Sequence, residues 1–478
     1  MQAWVHDEFD GVDLGDHRLD ERLRRVVDAL SGQPERTIPA ACHGRAEMEA
    51  AYRLLDNEKV SEAKILAPHR DATLKRLAAL PLVLLGQDTT EFDFTRESER
   101  IGGPLSDDAR WGLLGHVMMA FSPAGLPLGV LAATLWARDP TRFGHSKKDR
   151  KAPLAFKETS RWLAGYREAS ELAKELPETA MVVLSDSEGD LYECLAAVAR
   201  APRGERAHFV TRACHDRRLA GEEAGLWQTM LATPVGSHAL VDVKPRQAAS
   251  FDGRKRRVAR TRRQAKVSIR AQSVTILRPH HKGPEAGPAK VRVNAVMVRE
   301  ENPPQGAVAV EWLLLTDLPI DTVARIDKII AFYGVRWGLE VFFRILKSGC
   351  RVERLQLEAE PRLRRCLTLY LVIAWRVLQM AMLGRTSPDL PCSVLFETDE
   401  WHALYAVQTK KPLPRRPPPL GEAVRLVASL GGYMGRSCDG EPGPKALWIG
   451  LAALANITIG WQAAHKRRAS KAGTCVER

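Results

Sequence analysis

The stretch "PLVLLGQDTT", Pro81 to Thr90, decides the fold class. Its short, continuous apolar run ends in an acid, Asp88, as is typical of a strand buried on both faces of a sheet. The same pattern recurs in "AMVVLSDSEGD", Ala180 to Asp190, where the run ends at Asp186 and a helical pattern follows. Strands that alternate with helices predict an α/β sheet.

The segment from about residue 205 to residue 320 has a different periodicity. The stretches "AKVSIRAQSVTILRP" and "KVRVNAVMVRE" alternate apolar and polar residues with period two, and "VAVEWLLLTDLP" is typical of a further strand. We therefore expect a β-rich insertion in the α/β core.

Both ends of the chain have helical patterns. In the first 75 residues, "LGDHRLDERLRRVVDALSG" has helical spacing and a glycine stop, and "GRAEMEAAYRLLDN" predicts a second helix. At the other end, "LGEAVRLVASLGGYMG" and "KALWIGLAALANITIGWQAAHK" predict a helical pair. The predicted domains are 1–75, 76–384 with the insertion at about 205–320, and 385–478.

The charge balance favours a polyanionic partner. Lys and Arg number 71 against 58 Asp and Glu, a net charge of +13. Nucleic acid is the first expectation, and an anionic membrane surface is the second. The sequence "RKRRVARTRRQAK", Arg254 to Lys266, contains eight basic residues and no acid. The alternative for this tract, and for the Pro-rich basic tract at Lys410 to Pro419, is a solvated loop that touches no ligand.

The cysteines and apolar runs bear on the compartment. The eight cysteines form no C-x-x-C pair and no Cys/His cluster at zinc spacing, which favours a reducing compartment. The N-terminus has no apolar signal core. The longest apolar run, Leu367 to Leu383, is interrupted by Arg376, so we expect a buried helix rather than a membrane span. The predicted location is the cytoplasm, in association with the nucleoid, without a membrane partner.

A second stretch, "YGVRWGLEVFFRILK" from Tyr333 to Lys347, combines one carboxylate with four basic or phenolic groups. If the stretch is a single α-helix, all five of these side chains lie on one stripe that covers roughly 80° of the helix circumference. They are Tyr333, Arg336, Glu340, Arg344 and Lys347. Such a stripe could also be an ordinary solvated face with i,i+4 ion pairs.

Three acids stand out as possible metal ligands: Asp88 and Asp186 after buried strands, and Glu340 on the helix. Ligands bind at the carboxyl ends of strands in open α/β sheets, and Mg²⁺ prefers carboxylate oxygens. Three converging acids could hold two ions that act on a phosphodiester, while neighbouring basic groups hold its phosphates. Taken singly, each Asp could instead be a turn former or a helix cap.

Four spaced residues carry a family resemblance. Tyr333, Arg336, Glu340 and Lys347 have the spacing Tyr, two residues, Arg, three residues, Glu, six residues, Lys. At this point the chain resembles the DDE transposases of the IS-four insertion-sequence family, whose signature has that spacing. The resemblance extends over nearly the whole chain, through the blocks "GRAEMEAAYRLLDN", "HFVTRACHDR", "ENPPQGAVAVEWLLLTDLP", "GCRVERLQLEAEPRLRRCL", "LGGYMG" and "KALWIG".

The two aspartates fit the same resemblance. "GQDTT" matches the family's first acid at Asp88, and "DSEGD" matches the second at Asp186, although Ser187 replaces a basic residue there. The resemblance implies an RNase H-like mixed-sheet core with a β-rich insertion. It also implies an N-terminal helical domain that binds transposon ends and a C-terminal helical domain that dimerises. By the same resemblance, Asp88, Asp186 and Glu340 are the catalytic residues and ligate two Mg²⁺ ions, for which Mn²⁺ can substitute.

The resemblance also assigns DNA contacts. Tyr333, Arg336 and Lys347 are expected to hold the 5′ phosphate of the non-transferred strand, and Trp312 to stack on a flipped base, although it could be a core aromatic. Arg212 matches an Arg that the family places near the non-transferred DNA strand, and Arg344 stands where the family has a Lys. The expected contacts of the basic tract are Arg254, Arg256, Arg257 and Arg260. Weaker candidates in the N-terminal helices are Arg45, Tyr52, Arg53, Lys64, His69 and Arg70.

The predicted function is a DNA transposase that cuts its element out by metal-dependent hydrolysis, forms a hairpin and joins the freed end to target DNA. Its partners would be double-stranded DNA and a second copy of the chain in the synaptic complex. Two alternatives remain from the residues: a DNA-binding derivative that no longer cuts, and an RNase H-like nuclease without joining activity.

Overall fold

The structure of the protein is a computed structural model. It describes residues 2–42, 44–96, 100–107, 109–143, 154, 157–202, 204–243, 261–436 and 439–473. For residue 142 and residues 466–473 only the backbone is described.

Helices occupy both ends of the chain and alternate with strands in its middle. The α-helices of the described ranges are, in chain order, α1 (Ala3–Glu8), α2 (His17–Gly32), α3 (Ile38–Ala41), α4 (Arg45–Asp56), α5 (Glu62–Ala78), α6 (Ser160–Glu175), α7 (Tyr192–Arg200), α8 (Leu226–Ala232), α9 (Val323–Val335), α10 (Trp337–Arg344), α11 (Glu360–Thr386), α12 (Thr398–Thr409), α13 (Leu420–Leu430) and α14 (Pro444–Gly473).

The strands lie between α5 and α9. They are β1 (Leu82–Asp93), β2 (Gly103–Pro104), β3 (Trp111–Phe121), β4 (Pro127–Trp136), β5 (Ala180–Ser185), β6 (His208–Arg212), β7 (Ser237–Val243), β8 (Arg263–Leu277), β9 (Lys290–Glu300) and β10 (Glu311–Thr316).

Contacts divide the chain into two compact units. The first unit contains residues 1–80, 88–150 and 337–478, and the second contains residues 81–87 and 151–336. The functional domain boundaries expected at residues 75 and 384 remain predictions.

The second unit is built on a mixed sheet of seven strands in the order β1, β5, β6, β10, β9, β8, β7, to which β1 contributes its first residues. Strands β1, β5 and β6 are parallel, as is typical of strands buried on both faces. From β10 to β7 every pairing is antiparallel. Strands β8 and β9, whose sequences alternate apolar and polar residues, form the longest paired register. It begins where Val267 pairs with Glu300 and ends where Leu277 pairs with Lys290.

The first unit contains β2, β3 and β4, of which β3 pairs antiparallel with both others. Its core helix is α11, in which an almost unbroken run of residues from Leu363 to Ala381 is buried. The Trp375 indole of this helix donates to the Pro127 carbonyl on β4 (3.2 Å). Arg362, near the start of α11, pairs with Asp56 at the end of α4. Helices from both ends of the chain therefore share one core.

Two helices of the described chain are long and apolar enough to cross a membrane, namely α11 and the Pro444–His465 part of α14. In α11, 78% of the most apolar window is buried inside the protein. The expectation that Leu367 to Leu383 forms a buried helix is therefore confirmed.

The predicted fold class, a mixed α/β sheet with helical regions at both ends, is confirmed. The expectation of one α-helix from Tyr333 to Lys347 is wrong in detail. Helix α9 ends at Val335, Arg336 caps it, and α10 begins at Trp337. Residues Ile345–Gly349 then form a π-helical turn, which holds more residues per turn. The 100° spacing argument therefore applies only within each piece.

Candidate functional site

In the second unit, Asp186 directly follows the carboxyl end of β5. It caps a short 3₁₀ turn, Ser187–Gly189, and its Oδ1 accepts the Glu188 N–H (2.8 Å). The turn lies close against the strand, because a Cβ at Gly189 would come within 2.5 Å of the Ser185 Cβ. Asp186 is half-buried, so its carboxylate is held in place yet reachable from solvent.

Arg212 ends the neighbouring parallel strand, β6. The β5–β6 register ends with Ser185 paired with Thr211, so Asp186 and Arg212 each follow the last pair by one residue. The Arg212 side chain is exposed, and one of its amino groups donates to the Glu311 carbonyl (3.4 Å). An acid and an arginine thus end adjacent strands at the edge where α/β sheets bind ligands.

Two aromatic rings and a second arginine complete this edge. The Arg336 guanidinium lies 5.8 Å from the centroid of the Tyr333 ring, and the Trp312 ring lies 6.2 Å from the same ring at 58°. Burial raises the pKa of the Tyr333 phenol; the charges of Arg336 and Arg212 oppose that rise, and the charge of Asp186 adds to it. We call these five residues the strand-end cluster. Trp312 is half-buried rather than a core aromatic.

In the first unit, Asp88 lies on β1 and Glu340 on α10. The Asp88 Oδ1 accepts the Thr89 N–H (2.8 Å), and the Thr89 hydroxyl is 2.9 Å from His116 Nδ1 on β3. Helix α10 packs closely on the same strand, since a Cβ at Gly338 would come within 2.7 Å of the Phe121 ring. Both acids are half-buried on rigid elements.

Lys347 has acidic neighbours beyond the groups expected from the sequence. Its ammonium lies 3.8 Å from a Glu353 carboxylate oxygen and 5.8 Å from the Phe92 ring on β1. Burial lowers the pKa of Lys347, while the charges of Glu353 and Glu91 oppose that decrease. Glu91 is far from Lys347 in the sequence, whereas Glu353 follows it closely but lies beyond the π-helical turn, where the 3.6-residue period does not apply. Arg344, by contrast, is exposed at the end of α10.

Sequence reasoning also missed the partners of Asp190, the last residue of "DSEGD". This carboxylate is buried and forms an ion pair with Arg217. Ligand atoms of Asp190, Cys214 and His215 lie within 4.8 Å of one another. The only signal in the sequence was the second acid of the motif, four residues after Asp186.

The expected DNA contacts in the basic tract, Arg254, Arg256, Arg257 and Arg260, lie outside the described residues. Arg263, farther along the same tract, forms an ion pair with the buried carboxylate of Glu300. At least this arginine of the tract therefore has a structural role.

One expected DNA contact in the N-terminal helices is wrong. His69 is fully buried and hydrogen-bonded to Glu8, so its ring cannot reach DNA. Burial was invisible in the sequence because the partner is 61 residues away. The other candidates remain predictions, with Arg45, Arg53 and Lys64 exposed and Tyr52 and Arg70 half-buried.

Comparison with known families matches both ends of the chain. Residues 1–60 match the family model described as transposase DNA-binding, and residues 372–473 match the transposase Tn5 dimerisation domain. In these two parts the chain resembles Tn5-type transposases. The strand-end cluster of this Tn5-like chain lies in the part between the two matches.

A solved structure also matches, the cryo-EM structure of the piggyBac transposase synaptic complex with hairpin DNA. The identity is 12% and the TM-score 0.33, and the match covers 72% of this chain and 55% of that chain. So distant a likeness supports no inference about this Tn5-like chain.

Proposed function

We propose that this chain is a DNA transposase that cuts DNA at the ends of its element and joins the freed ends to target DNA. The observation that carries the proposal is the strand-end cluster. Asp186 and Arg212 end two parallel strands, the charges of both and of Arg336 act on the Tyr333 phenol, and the Trp312 ring lies 6.2 Å from the Tyr333 ring. Arginines hold phosphates in a fixed geometry, and aromatic rings stack on unpaired bases.

The proposed catalytic residues are Asp88, Asp186 and Glu340. The last register pair of β1 and β5 is Gly86 with Leu184, and each aspartate follows that pair by two residues in its own sequence. Carboxyl ends of parallel strands face the same edge of a sheet, which supports a common role for the two acids. Glu340 joins them by resemblance to the family signature.

The donor set fits hard divalent cations such as Mg²⁺ or Mn²⁺, because all three side chains offer half-buried carboxylate oxygens. Two such ions, when bound, activate water and stabilise the leaving oxygen of a phosphodiester. The residues that would hold them are Asp88, Asp186 and Glu340.

The other residues of the site would act on the DNA. Arg212 and Arg336 would bind phosphate oxygens in bidentate fashion, and the Tyr333 hydroxyl would donate to the same group. Lys347 would add a further positive charge, and Arg344 a solvent-exposed one. Trp312 would stack on a base turned out of the duplex. These contacts fix the scissile phosphate in an orientation suited to in-line attack.

The proposed reaction has four displacements at phosphorus. Water attacks first and releases a 3′-OH at the element end. That hydroxyl attacks the opposite strand, which closes a hairpin and frees the flanking DNA. A second water reopens the hairpin, and the regenerated 3′-OH attacks a target phosphodiester. Each displacement breaks one P–O bond as it forms another, so one site can serve all four.

We further propose that two copies of the chain pair in the complex with DNA. Only 28% of the apolar window in α14 is buried, and the Ile459 side chain is about half exposed. An apolar helix face with so little cover is typical of an association surface. Light scattering should therefore show a dimer when element-end DNA is present. The cytoplasmic, nucleoid-associated location remains a prediction that follows from the DNA substrate.

The decisive test uses a duplex that carries the inverted repeats flanking the gene. Purified protein should nick it in Mg²⁺ or Mn²⁺ and not in EDTA, then give hairpins and, with a target plasmid, joined products. Glu340→Gln should bind the duplex but not cleave it. Asp242→Asn on β7, an exposed acid outside the site, is the matched control and should cleave normally.

The alternatives predict other outcomes. A DNA-binding derivative would shift the duplex on a gel without any metal-dependent nick. A nuclease without joining activity would cleave but leave the target plasmid unchanged. Normal cleavage by Glu340→Gln would contradict the catalytic assignment.

A further inference from the structure

The carboxylate of Asp190 is saturated with hydrogen bonds. It is buried within the second unit, and its Oδ1 accepts from Nε and an amino group of Arg217. Its Oδ2 accepts the backbone N–H groups of Cys214 (2.9 Å) and His215 (3.1 Å). Arg217 also donates to the Asp190 carbonyl (2.7 Å) and is itself buried.

This saturation argues against a metal site at the group of Asp190, Cys214 and His215. Four donors occupy the lone pairs that a cation would need. Burial also raises the pKa of the Cys214 thiol to about 11, which disfavours the thiolate in the metal-free protein. The group is a mechanical connection rather than a ligand set.

The connection joins two segments that carry functional side chains. One is the turn from Asp186 to Asp190, and the other runs from Arg212 to Arg217. A second tie lies beside the first, because the Cys214 thiol donates to the Ser187 carbonyl (3.2 Å). These contacts therefore hold the backbone segments that carry Asp186 and Arg212 next to each other without using either side chain.

A buried ion pair adds little net stability, because desolvation of the two charges offsets most of their attraction. Its strong, directional hydrogen bonds make it better suited to fixing geometry. We propose that Asp190 and Arg217 are positioning residues that hold Asp186 at the correct distance from Arg212 for phosphodiester cleavage. The proposal rests on the proposed transposase function.

The test compares Asp190→Asn and Arg217→Lys with the unsubstituted full-length chain. Asparagine keeps the shape of the Asp190 side chain but accepts fewer of its four hydrogen bonds. Lysine keeps the positive charge of Arg217 but cannot donate from two guanidinium nitrogens at once. Misplacement by about 1 Å can lower a rate about 100-fold, so we expect the single-turnover nicking rate to fall about 10- to 100-fold. Affinity for the element-end duplex should change less than about threefold, because Asp190 and Arg217 are buried and touch no DNA.

Hydrogen–deuterium exchange provides a readout that does not depend on activity. Peptides covering residues 184–192 and 212–218 should exchange faster in both variants, while peptides from α6 and β8 should not. A purely structural role would instead increase exchange throughout the unit, and the nicking rate per folded molecule would be unchanged. Asp216→Asn is the matched control, since Asp216 lies in the same segment but is exposed.

The outcomes separate the two proposals. If the unsubstituted chain nicks DNA and Asp186→Asn does not, but Asp190→Asn and Arg217→Lys both nick at the normal rate, the positioning role is wrong and the function stands. If the unsubstituted chain never nicks, the proposed function fails. In that case, unchanged local exchange in both variants would still overturn the mechanical connection. Should Asp190→Asn fail to fold, Arg217→Lys carries the test.

Discussion

Glu8 in the first unit and Asp186 in the second have similar neighbours but different accessibility. Glu8 is almost fully buried and accepts from His69 and from two amino groups of Arg76. Arg76 in turn lies 4.7 Å from the centroid of a Trp375 ring. Asp186 also has arginines and aromatic rings nearby, but its carboxylate is only half-buried. The same residue types can therefore build either a closed, structural cluster or an accessible site, depending on whether hydrogen bonds occupy all the lone pairs of the carboxylate.

The first cluster, which we call the Glu8 lock, consists of Glu8, His69, Arg76 and Trp375. The Val130 N–H donates to His69 Nε2 (2.8 Å), so the proton of a neutral imidazole must be on Nδ1, where it is donated to Glu8. Burial alone would raise the pKa of Glu8, but His69 and Arg76 outweigh it and hold that pKa below its usual value. Glu8 therefore stays ionised although it is buried.

The largest effect should come from Asp186→Asn. Loss of a proposed metal ligand should lower the nicking rate by about 10³-fold or more, equivalent to about 4 kcal/mol of transition-state stabilisation. The free energy of unfolding should stay within about 0.5 kcal/mol of the original, because the side chain is partly solvated. Single-turnover cleavage and urea unfolding measure the two quantities. A large loss of stability with cleavage retained would reverse the contrast with Glu8.

The opposite result is expected from Glu8→Ala. It leaves the fully buried His69 and the partly buried Arg76 without the Glu8 carboxylate, and should lower the free energy of unfolding by about 3–4 kcal/mol. Glu21→Ala is the matched control, because Glu21 forms an exposed i,i+4 pair with Arg25, and it should cost less than about 0.5 kcal/mol. Equal costs for the two substitutions would show that the lock contributes no more than a surface pair.

A third carboxylate, Glu400 on α12, sharpens the comparison because it is buried with fewer donors. Burial raises the pKa of Glu400 to about 7. The negative charges of Glu397 and Asp28 add to this rise, whereas the hydrogen bond from the Glu397 backbone N–H and the positive charge of Arg376 oppose it. Its stabilising contribution is complete below the unfolded pKa of about 4.3 and is lost as the pH rises through about 7. Glu400→Gln should match the unsubstituted chain at pH 4 and be about 1–3 kcal/mol more stable at pH 8.

Urea unfolding of both proteins at several pH values measures that difference. Glutamine can still accept the Glu397 N–H, so the capping interaction at the start of α12 is kept. Two parallel pH profiles would mean that Glu400 titrates normally in the folded protein.

The smallest effect should come from Trp312→Ala. Stacking on a base is worth about 1–2 kcal/mol, so hairpin formation should slow about 5- to 30-fold. The first nick, which needs no flipped base, should be nearly unchanged. Trp312→Phe should recover part of the loss, and a quench-flow time course on end-labelled duplex separates the two steps. An equal slowing of both steps would assign Trp312 to general binding instead.

Much of this fold could be predicted from the sequence where the signals are local. The apolar runs of β1 and β5 and the alternation in β8 and β9 predicted strands at the right places. The spacing of the signature residues also indicates Tyr333 and Arg336, whose phenol ring and guanidinium lie 5.8 Å apart; their role in the site remains a prediction.

The missed features depend on distant partners. The helical pattern around His69 predicts a surface residue, because its buried partners Glu8 and Val130 are each 61 residues away. The π-helical turn before Cys350 could not be predicted from a 3.6-residue period. The pairing of Asp190 with Arg217 spans 27 residues and joins two loops, which no periodicity describes.

The shared core of α4, α5 and α11 has a consequence for biosynthesis. The first 80 residues are made well before residue 360, where α11 begins, and at about 5–20 residues per second the interval is roughly 15–55 s. During that time the apolar faces of α4 and α5 are not yet covered by α11. Residues 81–87 and 151–336 of the second unit, by contrast, are all translated before α11 begins. A nascent chain stalled in that window should therefore be unusually sensitive to protease in its first helices.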